Sequence, residues 1–180
     1  MDLQNNNDDS VENKAVAKRK DEYKMQEYVT LTIGKQKNIA LIAHDNMKHE
    51  LIAWVKENAD ILKRHFLMGT GTTAKLVAEE ANLPVRGYNS GPLGGDQQIG
   101  ARIVEGRIDF VIFFWDPLMA QPHDPDVKAL QRICVLYDIP FASNRATADF
   151  LLHSDLMDKE YDRKILNFNK TIENRLDSFK

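Results

Sequence analysis

This chain of 180 residues is short of several things, and each shortage removes a class of function. It holds one cysteine, Cys134, so no disulfide forms within it and no cysteine-rich zinc site can be built. Such usage fits a reducing compartment. No apolar run approaches the roughly 20 residues needed to span a bilayer. The first residues, MDLQNNNDDSVENK, are polar and acidic, unlike a secretory signal, so the expected location is cytoplasmic, away from membranes. Basic charge is not in excess. Lys and Arg number 24 against 27 Asp and Glu, a formal net charge of −3, which argues against an electrostatically driven nucleic-acid binder. The five histidines are scattered and form no H-E-x-x-H, so no metal is expected. Ser90 lacks the G-x-S-x-G elbow of a nucleophilic serine, and no Gly-Lys-Ser/Thr completes a P-loop.

What is present is ordinary in amount: 43% hydrophobic and 28% charged residues, enough for one domain with a substantial core. Residues 1–25 carry no hydrophobic period and read as a disordered or weakly helical tail, leaving 26–180 as a single domain. Tyr28–Ile33 alternates like an edge strand. Ile39–Ala43, His65–Met68, Val85–Tyr88, Phe110–Phe114 and Phe141–Ser143 then read as strands, with a further one near Lys164–Leu166. Between them lie amphipathic stretches. One is capped by Asp45 and carries Met47, Leu51, Trp54 and Val55 on one face; others cover a turn at Ile61–Arg64, Thr70–Ala81 and Gln97–Glu105, the last ended by Gly106. Asp124–Pro125 supplies a cap and first-turn proline for a helix with Val127, Leu130, Cys134 and Tyr137 on its apolar face. Thr147–Leu152 and a stretch through Ile172–Leu176 read as the last helices. Strands alternating with helices predict a three-layer α/β/α sandwich around a mainly parallel sheet.

In such a sheet, ligands bind beyond the carboxyl ends of the strands. The residues expected there are His44-Asp45, Gly69-Thr70-Gly71-Thr72-Thr73, Ser90-Gly91 with Asp96, Asp116-Pro117 and Ser143-Asn144. GTGTTA matches a dinucleotide fingerprint, but the acid expected about 20 residues later is missing. What remains is an anion site made of a helix N-terminus and threonine hydroxyls. Lys48 can add a full charge. Asp96, in SGPLGGDQQ, is open to two readings: a helix cap, or an acid held within reach of a substrate proton. His123, Asp124 and Asp126 fall in a proline-stiffened loop, where a histidine can polarise a carbonyl near neutral pH.

Several of these stretches together resemble one family. From Asn38 to about Leu176 the chain is similar to the methylglyoxal synthases, on AHD (43–45) with Lys48, GTGTTAKL (69–76), SGPLGGDQQIGA (90–101), FFWDPL (113–118), PHDPDVKAL (122–130) and NRATADF (144–150). The resemblance implies a flavodoxin-like fold, a homohexamer, and conversion of dihydroxyacetone phosphate to methylglyoxal and inorganic phosphate. It implies no metal or organic cofactor, and inhibition by phosphate. Position by position, Asp96 matches the family's catalytic base, and Lys48, Thr70, Gly71, Thr72, Thr73, Ser90 and Gly91 match its phosphate site. His44 and His123 match residues that contact the substrate, and Asp45, Asp116 and Asp126 match further active-site acids. Arg175, in NRL, aligns with an arginine that in the family reaches the phosphate of a neighbouring subunit.

Overall fold

The computed structural model describes residues 28–119 and 124–179. The expected tail at 1–25 and His123 lie outside the described residues, as do the side chains of Asp124 and Pro125. The described residues divide into two compact units, Leu31–Arg163 and a terminal unit that holds Tyr28–Thr30 with Lys164–Phe179.

The larger unit holds a five-stranded sheet built from β2 (Asn38–Ala43), β3 (Phe66–Thr70), β4 (Val85–Tyr88), β5 (Phe110–Phe114) and β6 (Phe141–Ala142). The strand order is β4-β3-β2-β5-β6, and every neighbouring pair is parallel. The helices are α1 (Lys48–Glu57), α2 (Ala59–Leu62), α3 (Gly71–Ala81), α4 (Gly95–Val104), α5 (Asp124–Leu136) and α6 (Arg145–Leu152). β1 (Tyr28–Ile33) and β7 (Tyr161–Leu166) pair in a separate two-stranded sheet, and α7 (Phe168–Asp177) lies in the terminal unit.

Alternation along the strands sorts the core into two faces, because successive side chains of a strand point to opposite sides. Ile39, Leu41, Phe110, Ile112 and Phe114 pack with Leu51, Trp54 and Val55 of α1, Val77 of α3, and Ala148 and Leu152 of α6. Ala40, Ile42, Val111 and Phe113 pack with Ile99 and Ile103 of α4 and with Val127, Leu130 and Cys134 of α5. Both faces are apolar and both are covered, which is why IALIA and FVIFF read as unbroken apolar runs. The three-layer expectation holds. Cys134 is 1% exposed. Burial pushes its thiol up to about 12, which fits the structural reading of it and makes it inert as a nucleophile.

Of the element boundaries that differ from expectation, three have a plain local cause. Asp45 does not cap an α-helix. It opens a 3-10 turn, Asp45–Met47, closed by the Met47 N–H donating to the His44 carbonyl at 2.9 Å, and α1 begins only at Lys48. The strand expected to end at Met68 runs on to Thr70, in register with Tyr88 of β4. α4 begins at Gly95, two residues early, because Gly94 takes a left-handed φ of 85° and turns the chain into the helix. At the other end of α4, Gly106 takes φ 69° in its expected role. Asn144, expected among the strand-end residues, caps α6 by accepting the Thr147 N–H at 2.9 Å.

Candidate active site

A cavity of about 260 Å³ opens beyond the carboxyl ends of β2, β3, β4 and β5, where parallel α/β sheets hold their ligands. One wall is the start of α3. Thr70 precedes this helix with its side chain making no cap hydrogen bond, so no N-cap side chain occupies the N–H groups of Thr72 and Thr73 in the first turn. Thr70, Thr72 and Thr73 all line it. Thr73 is 2% exposed and its hydroxyl has no partner among the described residues. A buried hydroxyl left unpaired costs about 1–3 kcal/mol, so this position calls for a ligand atom. An anion's oxygen at the positive end of a helix meets that need.

Two glycines bring the next wall against this one. Gly71 has φ 22°, and a Cβ there would lie 2.8 Å from the backbone N of Ser90. Its N–H donates to the Asn89 carbonyl at 3.0 Å. A Cβ on Gly95 would fall 1.9 Å from that same carbonyl oxygen. Without side chains at these two positions the GTGTT and SGPLGG loops touch, and Ser90 and Gly91 enter the cleft beside the threonines.

Asp96 lines the cleft from the first turn of α4. It is not the N-cap, a position held by Gly94 with no side-chain cap bond. Its Oδ1 accepts the N–H of Gln97 at 3.0 Å, and among the described residues no partner for Oδ2 occurs. Lys48, the first residue of α1, reaches the cleft and pairs with Asp45 at 2.5 Å. A cation at a helix N-terminus opposes the helix dipole. Asp45 offsets that, and Lys48 in turn holds the Asp45 carboxyl below its ordinary range, by hydrogen bond first and by charge second.

His44 follows β2 and also lines the cleft. Its Nδ1 accepts the Asp116 N–H at 3.2 Å, and its ring meets that of Phe113 edge-on at 5.0 Å. Asp116 is buried and is not among the lining residues; its carboxylate accepts Nδ2–H of Asn46 at 2.9 Å and the Leu118 N–H at 3.0 Å. Those donors, Asn46 foremost, hold the Asp116 carboxyl below its ordinary range. Asp126 sits half-buried in the first turn of α5, next to Val127, which does line the cleft. Arg175 is exposed on α7, in the terminal unit. Two participants escaped sequence inspection. Phe113 reads as plain core strand, and Asn46 carries no signal beyond standing two residues after His44.

Fold and cleft together define a class: three-layer α/β/α domains that hold a small ligand at the carboxyl edge of a parallel sheet. A family model described as an MGS-like domain matches residues 50–143. The methylglyoxal synthase of Leptospira interrogans, serovar copenhageni, is 60% identical over 136 residues, 76% of this chain and 92% of the relative. That of Clostridium acetobutylicum is 57% identical over 147 residues, 82% of this chain and 100% of the relative. The crystal structure of methylglyoxal synthase from Elizabethkingia anophelis aligns with a TM-score of 0.76 at 48% identity, covering 80% of this chain and 95% of that one. The chain belongs to the methylglyoxal synthase family, a family of lyases. Among the described residues no helix is long and apolar enough to cross a membrane.

Proposed function

We propose that this protein converts dihydroxyacetone phosphate to methylglyoxal and inorganic phosphate, with Asp96 as the base. The observation that carries this reading is that the unpaired Thr73 hydroxyl, at a helix N-terminus without a side-chain cap, and the Asp96 carboxylate line one cleft. Asp96 takes a proton from the hydroxymethyl carbon beside the ketone, giving an enediolate. A neutral His123 donates a hydrogen bond to the carbonyl oxygen as negative charge develops there. The enediolate electrons then expel phosphate, breaking the C–O bond, and the enol left behind ketonises to methylglyoxal. Expulsion requires that bond to stand near perpendicular to the enediolate plane. Lys48, Thr70, Gly71, Thr72, Thr73, Ser90 and Gly91 hold the phosphate for this and stabilise the departing dianion. His44 donates to a substrate oxygen, while Asp45, Asp116 and Asp126 set the charge and geometry around it.

Inhibition by inorganic phosphate follows, since the product occupies the same anion site. A homohexamer, with Arg175 reaching a neighbouring subunit's phosphate, and a cytoplasmic location complete the reading. The protein incubated with dihydroxyacetone phosphate should release methylglyoxal and phosphate in equal amounts. An aldose phosphate without phosphate release would make it an isomerase, and no product at all would make it a binding module; either result overturns the proposal.

A further inference from the structure

We infer that Asn46 is a positioning residue which, acting through Asp116, holds His44 as the neutral tautomer protonated on Nε2. The inference deepens the reading of the cleft given above and rests on it for the ring's purpose. The turn after β5 is clamped at both carboxylate oxygens of Asp116. Oδ2 accepts from Asn46 Nδ2 at 2.9 Å and Oδ1 accepts from the Leu118 N–H at 3.0 Å. With its side chain fixed in this way and 8% exposed, Asp116 presents its own backbone N–H to His44 Nδ1 at 3.2 Å.

A backbone N–H can donate and cannot accept. Nδ1 must therefore carry a lone pair, and the proton of the neutral ring sits on Nε2. The ring has little freedom to escape this bond. Phe113 stands edge-on against it at 5.0 Å, and the His44 backbone N–H is tied to the Phe114 carbonyl at 3.1 Å. Residues 44 and 46 lie on one short turn, so a single piece of backbone delivers both the ring and its clamp. Among the described residues, the charged groups that share the cleft or the turn with the ring include Asp45 and Lys48 on its own side, Asp96 from α4, and Asp116 after β5. In the other tautomer, Nε2 would offer a lone pair to a phosphate or enediolate oxygen and repel it. The Nε2–H form donates to that oxygen instead.

The test reads the tautomer directly, on the full chain labelled with 15N-histidine and without substrate, by long-range 1H–15N correlation. The His44→Gln variant identifies the His44 resonances. Wild type should show the Nε2–H tautomer. Asn46→Ala should show a mixture of tautomers in a protein that still melts cooperatively, at a modestly lower temperature, and kcat/KM for dihydroxyacetone phosphate lowered about three- to tenfold, the size of one lost hydrogen bond. Asn46→Gln, which keeps the amide donor, should recover most of both readouts. Asn46→Asp, which sets a carboxylate against that of Asp116, should be worse than alanine. An Nδ1–H tautomer in wild type, or a wild-type histidine spectrum in Asn46→Ala, overturns the inference. Because the spectra need no turnover, a protein inactive on dihydroxyacetone phosphate would defeat the proposed reaction and still leave the tautomer decided.

Discussion

The two edges of the parallel sheet use similar residues in opposite ways. At the amino edge, polar side chains are engaged with backbone. Lys37, just before β2, is 1% exposed and donates from Nζ to the carbonyls of Gly34 and Lys159, each at 2.6 Å. Asp109, just before β5, accepts both the N–H and the Nδ2–H of Asn38 through Oδ2, at 2.7 and 2.8 Å. At the carboxyl edge, Lys48, Thr73 and Asp96 line a cavity, and the Thr73 hydroxyl has no partner among the described residues. The chemistry of a lysine or an aspartate does not tell which edge it serves. The difference lies in whether the neighbouring backbone takes up its hydrogen bonds.

That contrast is open to attack from both sides. Asp96→Asn should show the largest effect. The group is lost as a base, so kcat for methylglyoxal formation should fall by about 10²–10⁴-fold or more, while phosphate affinity and thermal melting stay close to wild type. Turnover near the wild-type rate would remove Asp96 from the mechanism. Asp109→Ala should do the reverse. It leaves two Asn38 donors without their acceptor at the base of the sheet, which should lower unfolding stability by about 3 kcal/mol in urea titration. The KM of the protein that remains folded should not move. A stability loss from the first variant matching that of the second would erase the distinction between the edges.

How far these edges were legible in the sequence depends on what each residue does there. Strands buried on both faces announce themselves as IALIA and FVIFF, and the amphipathic periods between them give the layers, since burial acts on whole runs. The lining of the cleft was legible at Thr70, Thr72, Thr73, Ser90 and Asp96, because residues after strand ends in a parallel sheet face its carboxyl edge. Asp116 was expected among the acids around the substrate, yet it is buried and bonded to Asn46 and to backbone. Its position depends on how the chain turns after β5, a matter of tertiary contacts with no pattern in sequence. The Asp45 cap gave way for a local reason instead: the chain makes a 3-10 turn there, and the carboxylate pairs with Lys48, three residues on, rather than with a helix N–H. Asn46 left no trace at all, because its partner lies 70 positions away.

Thr73→Val sharpens the comparison at a single atom. The substitution keeps the shape of the side chain and replaces the buried hydroxyl with a methyl group. Where that hydroxyl lacks a partner, the unliganded protein should lose nothing and gain up to about 1 kcal/mol. Phosphate should bind about three- to tenfold more weakly, and the KM for dihydroxyacetone phosphate should rise with it, because one hydrogen bond to the anion is gone. Isothermal titration with inorganic phosphate and a urea titration of the free protein measure the two halves. A variant that is less stable and binds phosphate normally would make Thr73 part of the fold alone.

The smallest effect belongs to an amino-edge group that is not fully engaged. His65, just before β3, is 7% exposed, accepts the Lys37 N–H on Nδ1 at 3.2 Å, and has no partner for Nε2 among the described residues. Burial holds its pKa below the ordinary 6.5, with the charges of Arg64 and Lys37 acting the same way and Asp158 opposing them. The folded protein therefore keeps this ring neutral at pH values where the unfolded chain has begun to bind a proton. The sign follows from the linkage between proton uptake and folding. The contribution of His65 to stability is full above about pH 6.5 and declines as pH falls toward its folded pKa, by at most about 1.4 kcal/mol per pH unit. His65→Asn keeps an acceptor for the Lys37 N–H and cannot titrate. Urea titrations of both proteins from pH 8 to pH 5 should give curves that run parallel in the upper half of that range and converge in the lower half. The scattered remaining histidines titrate equally in both, so the difference isolates this one. Parallel curves throughout would mean that His65 meets its proton as readily in the folded protein as in the unfolded one, and that the amino edge is less closed than its hydrogen bonds make it.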